Sequence, residues 1–380
     1  MSKSVLLIGG TGTLSSAVLQ CALDEGYDLT IMNRGTNNSK IPRNVKIVIG
    51  NFYNLNELNE KFENKKYDVI VDFLSRIPSD IERTYGLFKD KCKQYIFISS
   101  ACVYKRDKND FPIKENSPKP NELWSYNKEK YQCEKRLMEM SVGSKSYYTI
   151  VRPYITYNDE RIPLGISPSY KYHRTIIERV KSGKPWFVWD DGKAITTLTY
   201  AEDFAVGIVG LFLNDKAKNN DFHITSDFRY TQREVVELLF KKLGMPLKII
   251  SVSCHDLCKG LPEFKQMLIG DRALDAVFDN SKIKNAVPQL NFSVSLDKGL
   301  DKIIDYWTKS SALYDYQFEG RLDALLSKYD NQIKYIKYPN ALNNSYLLYL
   351  MYRYLPIKVA NKLRKWITTV PLKWTNRSLK

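Results

Sequence analysis

Histidine, clustered cysteine and long apolar runs are scarce or missing in this 380-residue sequence. It contains only three histidines. The six cysteines are scattered, at Cys21, Cys92, Cys102, Cys133, Cys254 and Cys258. Scattered cysteines suit a reducing compartment better than a disulfide framework. No run of 18 apolar residues occurs and the first residues lack a signal-peptide cleavage pattern, so the sequence predicts a cytoplasmic protein without a membrane span.

The stretch CHDLC, residues 254–258, brings potential metal ligands close together. It offers three soft ligands, and no second cluster elsewhere completes a tetrahedral site. We therefore predict no metal site and interpret CHDLC as a structural segment.

Acidic residues are missing from the C-terminal end. The net charge is +16, and residues 321–380 account for +10 of it, with 12 Lys and Arg against 2 Asp and Glu. The bulk of the chain is therefore unremarkable in charge. We expect an aromatic, basic helical extension that packs on the body or on a second subunit. The alternative is peripheral contact with the inner face of a membrane, and nucleic acid is the least expected partner. The residues that would contact lipid are Lys358, Lys362, Arg364, Lys365 and Trp366.

Short apolar strands alternate with helical segments in the first 155 residues. Strands are predicted at 5–9, 28–33, 46–50, 68–74, 94–100 and 146–153. Because parallel strands joined by helices are buried on both faces, this rhythm predicts an α/β fold with a doubly wound parallel sheet.

A glycine-rich turn follows the first predicted strand and opens a helix. IGGTGTLS places Gly9, Gly12 and Ser15 three residues apart, with Ser15 where a third glycine is more usual. Such a turn lets the backbone approach a pyrophosphate at the helix N-terminus. In this context the motif predicts a Rossmann-type dinucleotide-binding domain.

The end of the second strand bears on the choice of dinucleotide. IMNRG offers Asn33 and Arg34 where a carboxylate would hold the ribose 2′-hydroxyl of NAD. A guanidinium suits a 2′-phosphate. We predict NADP, with NAD as the alternative. The alternative interpretation of Arg34 itself is a solvent-facing loop residue.

Three regions are expected along the chain. Residues 1–155 form the NAD(P)-binding Rossmann domain, and 156–310 form mainly a smaller substrate-binding domain with some segments returning to the Rossmann part. Residues 311–380 form the basic aromatic C-terminal extension. Within the second region, TQREVVELLFKKLG carries a capping box between Thr231 and Glu234.

The stretch WSYNKEKYQCEKRL contains two Tyr-x-x-x-Lys pairs, Tyr126 with Lys130 and Tyr131 with Lys135. A tyrosine one turn before a lysine can serve as an acid–base group, because a nearby ammonium lowers the pKa of the phenol. The two tyrosines are five residues apart, about 140° around a helix. The two pairs therefore cannot both face the same ligand. The helical periodicity of apolar residues alone does not show which pair faces it.

Six segments together resemble the extended short-chain dehydrogenase/reductases of the NAD-dependent epimerase/dehydratase group, which act mostly on nucleotide sugars. They are GGTGTLS, DVIVDF, SSACVY, YNKEKYQCE, VRPYITY and TYAEDFAVGI. The resemblance covers roughly residues 4–310. It implies that Ser100 is the catalytic serine and that the catalytic tyrosine follows about 25 residues later, which favours Tyr126 and Lys130. It further implies that Pro153 and Tyr154 seat the nicotinamide, and that paired helices form a homodimer.

Cys102 lies two residues before the tyrosine of SSACVY. The resemblance to GDP-mannose 3,5-epimerases and GDP-fucose synthases implies a cysteine there that exchanges protons beside a transient ketone, provided its pKa is lowered. The alternative is a small packing residue, and no second acid–base group can be matched. The same stretch lacks the Asp-Glu pair of 4,6-dehydratases, which argues against that reaction.

The sequence thus predicts an NAD(P)-dependent nucleotide-sugar epimerase or reductase. A reductase of a non-sugar carbonyl and a non-catalytic Rossmann protein that binds RNA are the alternatives. The predicted catalytic residues are Ser100, Cys102, Tyr126 and Lys130. The predicted cofactor-binding residues are Gly9, Thr11, Gly12, Thr13, Leu14, Asn33, Arg34, Asn51, Phe52, Phe73, Tyr126, Lys130, Pro153 and Tyr154.

Overall fold

A seven-stranded parallel sheet forms the centre of the protein. The structure, a computed structural model, describes residues 2–310 and 313–369. The strands are β1 Ser4–Ile8, β2 Asp28–Asn33, β3 Lys46–Ile49, β4 Tyr67–Asp72, β5 Cys92–Ile98, β6 Tyr147–Pro153, β7 Thr156–Tyr157, β8 Trp186–Trp189, β9 Ile195–Thr197, β10 Thr199–Tyr200, β11 Asn220–Ile224, β12 Arg229–Thr231 and β13 Ile249–Val252. The large sheet has the order β11-β6-β5-β4-β1-β2-β3, and the other six strands form three two-stranded pairs.

Strand β1 occupies the middle of this sheet, between β2 and β4. Val5 lies opposite Leu29 on one side and Val69 on the other. The run from Val5 to Ile8 is fully buried, as expected for a strand covered on both faces. Because all the strands run parallel, their carboxyl ends meet at one edge, and the chain leaves β1 there through Gly9.

Helices cover both faces of the sheet. They are α1 Thr13–Asp24, α2 Leu55–Phe62, α3 Pro78–Phe88, α4 Ser125–Ser141, α5 Arg174–Lys181, α6 Ala201–Val209, α7 Gln232–Lys242, α8 Cys254–Gly260, α9 Lys265–Met267, α10 Ser281–Ala286, α11 Leu296–Lys309, α12 Tyr316–Leu326, α13 Ser345–Tyr354 and α14 Ile357–Thr369. Helices α1, α6 and α10 share a core on one face, and α2, α3 and α4 share a core on the other. The predicted doubly wound Rossmann-type fold is therefore confirmed.

The region after 155 contributes to two cores. Strand β11 returns to the large sheet and pairs with β6 in parallel, with Phe222 opposite Val151. Most of the remainder packs around a second core that includes Trp186, Leu239 and Leu300. Helix α7 begins with the predicted capping box between Thr231 and Glu234.

The C-terminal extension is joined to this second core. Helix α12 places Phe318, Leu322 and Leu326 inside it. Within the described residues, no helix has the length and apolar character needed to cross a bilayer. The first helix of the extension is thus part of the folded body.

Candidate active site

The glycine-rich turn between β1 and α1 has the shape that a dinucleotide needs. Gly9 has φ of +85°, in the left-handed region, and a Cβ there would lie 2.7 Å from the Leu74 side chain. A Cβ on Gly10 would lie 2.6 Å from Ile31. Only glycine fits at these points. The backbone N–H of Gly12 donates to Ser15 Oγ at 2.9 Å, so the serine closes the turn where a third glycine is usual.

Two adjoining cavities open at the carboxyl edge of the sheet. The larger, of about 530 Å³, extends from the glycine turn to the start of α4. The smaller, of about 300 Å³, lies beyond β2, and both are lined by Gly9, Thr11 and Leu74. This arrangement fits an extended dinucleotide, with the backbone N–H groups at the start of α1 facing its phosphates.

Nearly all of the predicted cofactor-binding residues line one of these cavities. The larger cavity is lined by Gly9, Thr11, Gly12, Thr13, Leu14, Phe73, Tyr126, Lys130 and Pro153. The smaller is lined by Gly9, Thr11, Asn33, Arg34, Asn51 and Phe52. Tyr154 is the exception.

Tyr154 is buried behind the cavity wall instead of lining it. Its ring packs 5.1 Å from that of Phe278, and the Arg106 guanidinium lies 4.9 Å from its centre. Pro153 and Ile155, on either side of it, line the cavity. The structure thus places Tyr154 outside the cavity lining, and its contact with the cofactor stays a prediction.

The two Tyr-x-x-x-Lys pairs on α4 are in different environments. Tyr126 and Lys130 line the larger cavity together with Ser100. Tyr131 packs at the edge of a cluster around Val103, and Lys135 is exposed. The structure thus places the first pair beside the glycine turn and the second pair outside the cavity.

Lys130 is held by main-chain oxygens. Its ammonium donates to the carbonyl of Ser75 at 2.6 Å and to that of Ile98 at 2.9 Å. An ammonium carries three hydrogens, so one remains for a ligand in the cavity. Burial lowers the pKa of Lys130. The contacts with the loop after β4 and the end of β5 fix the first turns of α4 against the sheet.

The pKa of Tyr126 differs from the sequence-based expectation. Burial, followed by the neighbouring Cys102, raises it to about 12, while the hydrogen bond with Ser100 and the charges of Arg76 and Arg272 act in the opposite direction. The pKa is therefore raised and not lowered as the sequence predicts, because burial has the largest effect on this phenol.

Cys102 lines the larger cavity but is not activated. Burial, followed by the charge of Asp271, raises the pKa of its thiol to about 12. Its backbone N–H donates to Ser100 Oγ at 3.2 Å. The lowered pKa on which a catalytic thiolate depends is therefore not found, because burial disfavours the charged form of the thiol.

Two arginines that sequence reasoning missed line the larger cavity. Arg272 ion-pairs with Asp271, but its buried Nε has no partner. The Arg161 side chain makes no hydrogen bond or ion pair within residues 2–310 and 313–369; burial and the like charge of Arg272 lower its pKa to about 10. Arg161 lies shortly after the VRPYITY motif, which could have pointed to it, whereas no local sequence pattern marks Arg272. The cavity therefore has a positive end suited to an anionic ligand.

The side chains of the CHDLC stretch do not come together as metal ligands. Cys254 and Cys258 lie on α8, and the Cys254 thiol donates to an Asp190 carboxylate oxygen at 3.0 Å. In the described part of the chain, no group of three or more His, Cys, Asp or Glu side chains could hold a metal ion.

A Rossmann sheet with a dinucleotide-binding turn and a Ser–Tyr–Lys set in one cavity defines an enzyme of the extended short-chain dehydrogenase/reductase class. Residues 5–225 match the NAD dependent epimerase/dehydratase family, and the chain belongs to that family. The resemblance predicted from the sequence is confirmed.

Proteins with similar sequences have names that indicate different functions. The chain is 25% identical over 258 residues to a chloroplast stem-loop binding protein of 41 kDa from Arabidopsis thaliana, covering 64% of each protein. It is 24% identical over 266 residues to a decarboxylating sterol-4-alpha-carboxylate 3-dehydrogenase from Dictyostelium discoideum, covering 64% of this chain and 77% of that protein. The chain thus spans slightly less than two thirds of the plant relative.

Among solved structures, the fold resembles that of UDP-glucuronic acid 4-epimerase from Bacillus cereus in complex with UDP-glucuronic acid and NAD. The TM-score is 0.63 at 18% identity, over 80% of this chain and 99% of that one. At this level of identity the likeness establishes the shared fold.

Proposed function

We propose that this protein oxidises a carbinol carbon of a nucleotide-activated sugar or reduces the corresponding carbonyl carbon, as an epimerase or a reductase dependent on NAD or NADP. The observation that carries the proposal is the position of Tyr126, Lys130 and Ser100 on the cavity that also contains the glycine turn. A bound dinucleotide supplies the hydride acceptor or donor.

Tyr126 is the proton-transfer group in this proposal. When a carbonyl is reduced, hydride adds to its carbon and the phenol of Tyr126 gives its proton to the oxygen. With its pKa raised to about 12, this phenol is protonated at neutral pH and can donate to a carbonyl oxygen. In the oxidative direction the Tyr126 phenolate takes the proton of the substrate hydroxyl as hydride leaves the carbon for the oxidised dinucleotide.

Ser100 and Lys130 support this transfer in different ways. The Ser100 hydroxyl is buried beside Tyr126 and hydrogen-bonds with the same substrate oxygen. Lys130 uses two of its hydrogens on carbonyl groups, so it positions the start of α4 and offers its third hydrogen to a hydroxyl of the bound dinucleotide.

The substrate class follows from the positive end of the cavity. Arg161 and Arg272 bring two half-buried guanidinium groups there, with Asp271 as the carboxylate paired with Arg272. A diphosphate linking a sugar to a nucleoside would neutralise them. The Bacillus cereus enzyme, crystallised with UDP-glucuronic acid, supports this class by its shared fold.

NADP is the cofactor that we propose. Arg34 lines the smaller cavity directly after β2 and makes no ion pair within the described residues, so its guanidinium can meet a 2′-phosphate. We also propose a homodimer, which light scattering on the purified protein would measure.

A second candidate is a reductase of a non-sugar carbonyl that carries an acidic group. The Dictyostelium relative is named for a sterol carboxylate, and a carboxylate would also suit Arg161 and Arg272. This candidate shares the proton-transfer chemistry and differs in the substrate alone.

The test is to incubate the protein with each reduced and oxidised dinucleotide and a panel of UDP-, GDP-, CDP- and dTDP-sugars, and to follow products by NMR in deuterated solvent. We expect one sugar nucleotide to be converted. Conversion without net consumption of dinucleotide identifies an epimerase, and conversion with equal consumption identifies a reductase. Tyr126→Phe is the control for chemistry at this site.

The proposal fails if the protein binds dinucleotide, converts no nucleotide sugar, and instead reduces or oxidises steroid or other non-sugar acids. Binding of a stem-loop RNA without any turnover would favour the non-catalytic alternative, in line with the name of the plant relative.

A further inference from the structure

Helix α14 is held to the body by few contacts. Among the side chains described between residues 357 and 365, Ala360 is the buried one. It packs against Met351 and Tyr352 at the end of α13, and the Tyr352 hydroxyl donates to Asn361 Oδ1 at 2.9 Å. Arg364 also donates to Gln317 Oε1 on α12 at 3.2 Å. The face that carries Ala360, Asn361 and Arg364 therefore contacts the protein, and Val359, Lys362 and Leu363 lie on the opposite side.

An apolar stripe lies on the open side of α14. Val359 and Leu363 are four residues apart, so they follow one face of the helix. Their side chains are 45% and 41% exposed. A surface helix ordinarily turns such a stripe to the core, and here it faces away from the protein.

Positive charge lies beside this stripe. Lys358 and Lys362 repeat the same four-residue spacing and are exposed. In the part of the chain that the structure describes, neither lysine makes an ion pair. Residues 341–380 contain no Asp or Glu, so no acidic side chain from this segment reduces the positive potential.

We propose that α14 docks on an anionic lipid surface, with Val359 and Leu363 at the boundary of the acyl chains and Lys358 and Lys362 among the headgroups. An apolar stripe flanked by lysines is the pattern of a helix that lies in the interfacial plane. Thirteen helical residues extend about 20 Å, too short to span a bilayer. The side chain of Trp366, a predicted anchor, lies outside the described residues.

Charge and side-chain type argue against a second copy of the protein, or a nucleic acid, as the partner of this face. A symmetric dimer through this face would set the lysines of one copy close to those of the other, with no acidic residue between them. Single-stranded nucleic acid is bound through stacking aromatic side chains, whereas Val359 and Leu363 are aliphatic.

The full-length protein tests the proposal by co-sedimentation with vesicles of phosphatidylcholine, with and without roughly one third phosphatidylglycerol. We expect binding to the anionic vesicles that weakens as salt is added. The double variant Lys358→Ala/Lys362→Ala should lower the partition coefficient roughly 30-fold. Val359→Ser/Leu363→Ser should also abolish most binding, because it removes the buried apolar area.

Lys128→Ala/Lys135→Ala is the matched control, since both lysines are exposed on α4 and the change in net charge is the same. It should bind as the wild type does. Absence of binding to anionic vesicles, or equal loss in the control, overturns the proposal. So does a wild-type dimer that Val359→Ser/Leu363→Ser dissociates, or RNA binding that the lysine variant removes while vesicle binding persists. Circular dichroism and melting of each variant verify that the fold is unchanged.

Discussion

Arg152 and Glu134 form a buried two-point ion pair that joins helix α4 to the sheet. Arg152 Nε and Nη2 each lie 2.8 Å from a different carboxylate oxygen of Glu134, and both side chains are 2% exposed or less. Glu134 lies on α4, one turn after Lys130, and Arg152 lies on β6 next to Pro153. The pair therefore fixes two walls of the larger cavity relative to each other.

Glu134→Gln should destabilise the fold and reduce turnover. It leaves the buried Arg152 guanidinium with Asp221 as its remaining carboxylate partner, at 2.7 Å, and loss of one partner of a buried pair costs about 3 kcal/mol. Urea denaturation measures this loss. Glu139→Gln is the control, because Glu139 is 59% exposed and lies 3.3 Å from Arg136; a change below about 1 kcal/mol is expected there. Equal effects of the two substitutions would contradict a structural role for the Arg152 pair.

Tyr126→Phe should lower turnover at least about a hundredfold, since proton transfer by a positioned side chain contributes that much or more. Tyr131→Phe should leave turnover within a fewfold of wild type, because Tyr131 does not line either cavity described above. Steady-state rates with the substrate found in the panel measure both, and melting curves verify that each variant is folded. A larger loss in Tyr131→Phe would reverse the assignment.

The Cys102 thiol should be unreactive at neutral pH. Its pKa is raised from 9.0 to about 12, and alkylation proceeds through the thiolate. At pH 8 it should react roughly a thousandfold more slowly than a free thiol. Since the folded protein favours the neutral thiol, the rate should rise with pH without levelling off near pH 9. Mass spectrometry of peptides after iodoacetamide treatment measures this rate, with urea-unfolded protein as the control. Rapid labelling of Cys102 in the folded protein would restore the thiolate interpretation.

The fold and the cofactor half of the site could be predicted because their signals are local in sequence. The glycine turn, the strands on both sides of it and the first Tyr-x-x-x-Lys pair lie in short segments with their own patterns. Arg272 could not be found in this way, since it reaches the cavity from a short helical segment about 170 residues beyond Ser100.

The pKa values of Tyr126 and Cys102 could not be predicted for a related physical reason. They are set by burial, which depends on tertiary packing and not on neighbours in sequence. Similarly, the sequence suggests a separate extension from residue 311, yet Phe318 and Leu322 complete a core formed by earlier segments. The amino-acid composition changes at that point, but α12 packs in the same core as the segments before it.

Arg34→Ala should weaken NADP binding and leave NAD binding almost unchanged. A guanidinium on a 2′-phosphate contributes a charge-assisted hydrogen bond of about 1.5–3 kcal/mol, which corresponds to a loss of roughly ten- to a hundredfold in affinity. Isothermal titration with both dinucleotides measures it. Lys40→Ala is a control, because Lys40 is exposed nearby in sequence but pairs with Glu160. Parallel losses for NAD and NADP, or none for either, would remove Arg34 as the selecting residue.

Removal of the C-terminal extension should have opposite outcomes depending on where the chain is cut. Buried Arg179 and Lys184 both pair with Glu319 and Asp323 of α12, and α12 also fills the second core. Deletion of residues 313–380 leaves two buried cations without partners and should prevent folding. Deletion of residues 356–380 removes α14, which buries Ala360 but little else, and should leave the melting temperature nearly unchanged.

A full-length substitution separates the ionic contribution from the loss of packing. Asp323→Asn keeps the shape of α12 but removes one of the two carboxylate charges, of Glu319 and Asp323, that face the buried cations. It should therefore lower the free energy of unfolding by about 3 kcal/mol. Asp330→Asn changes the same net charge at a site where the residue is half-buried and should cost far less. If deletion of 313–380 yields a protein that melts as the full chain does, α12 is an appendage after all and the second core ends with α11.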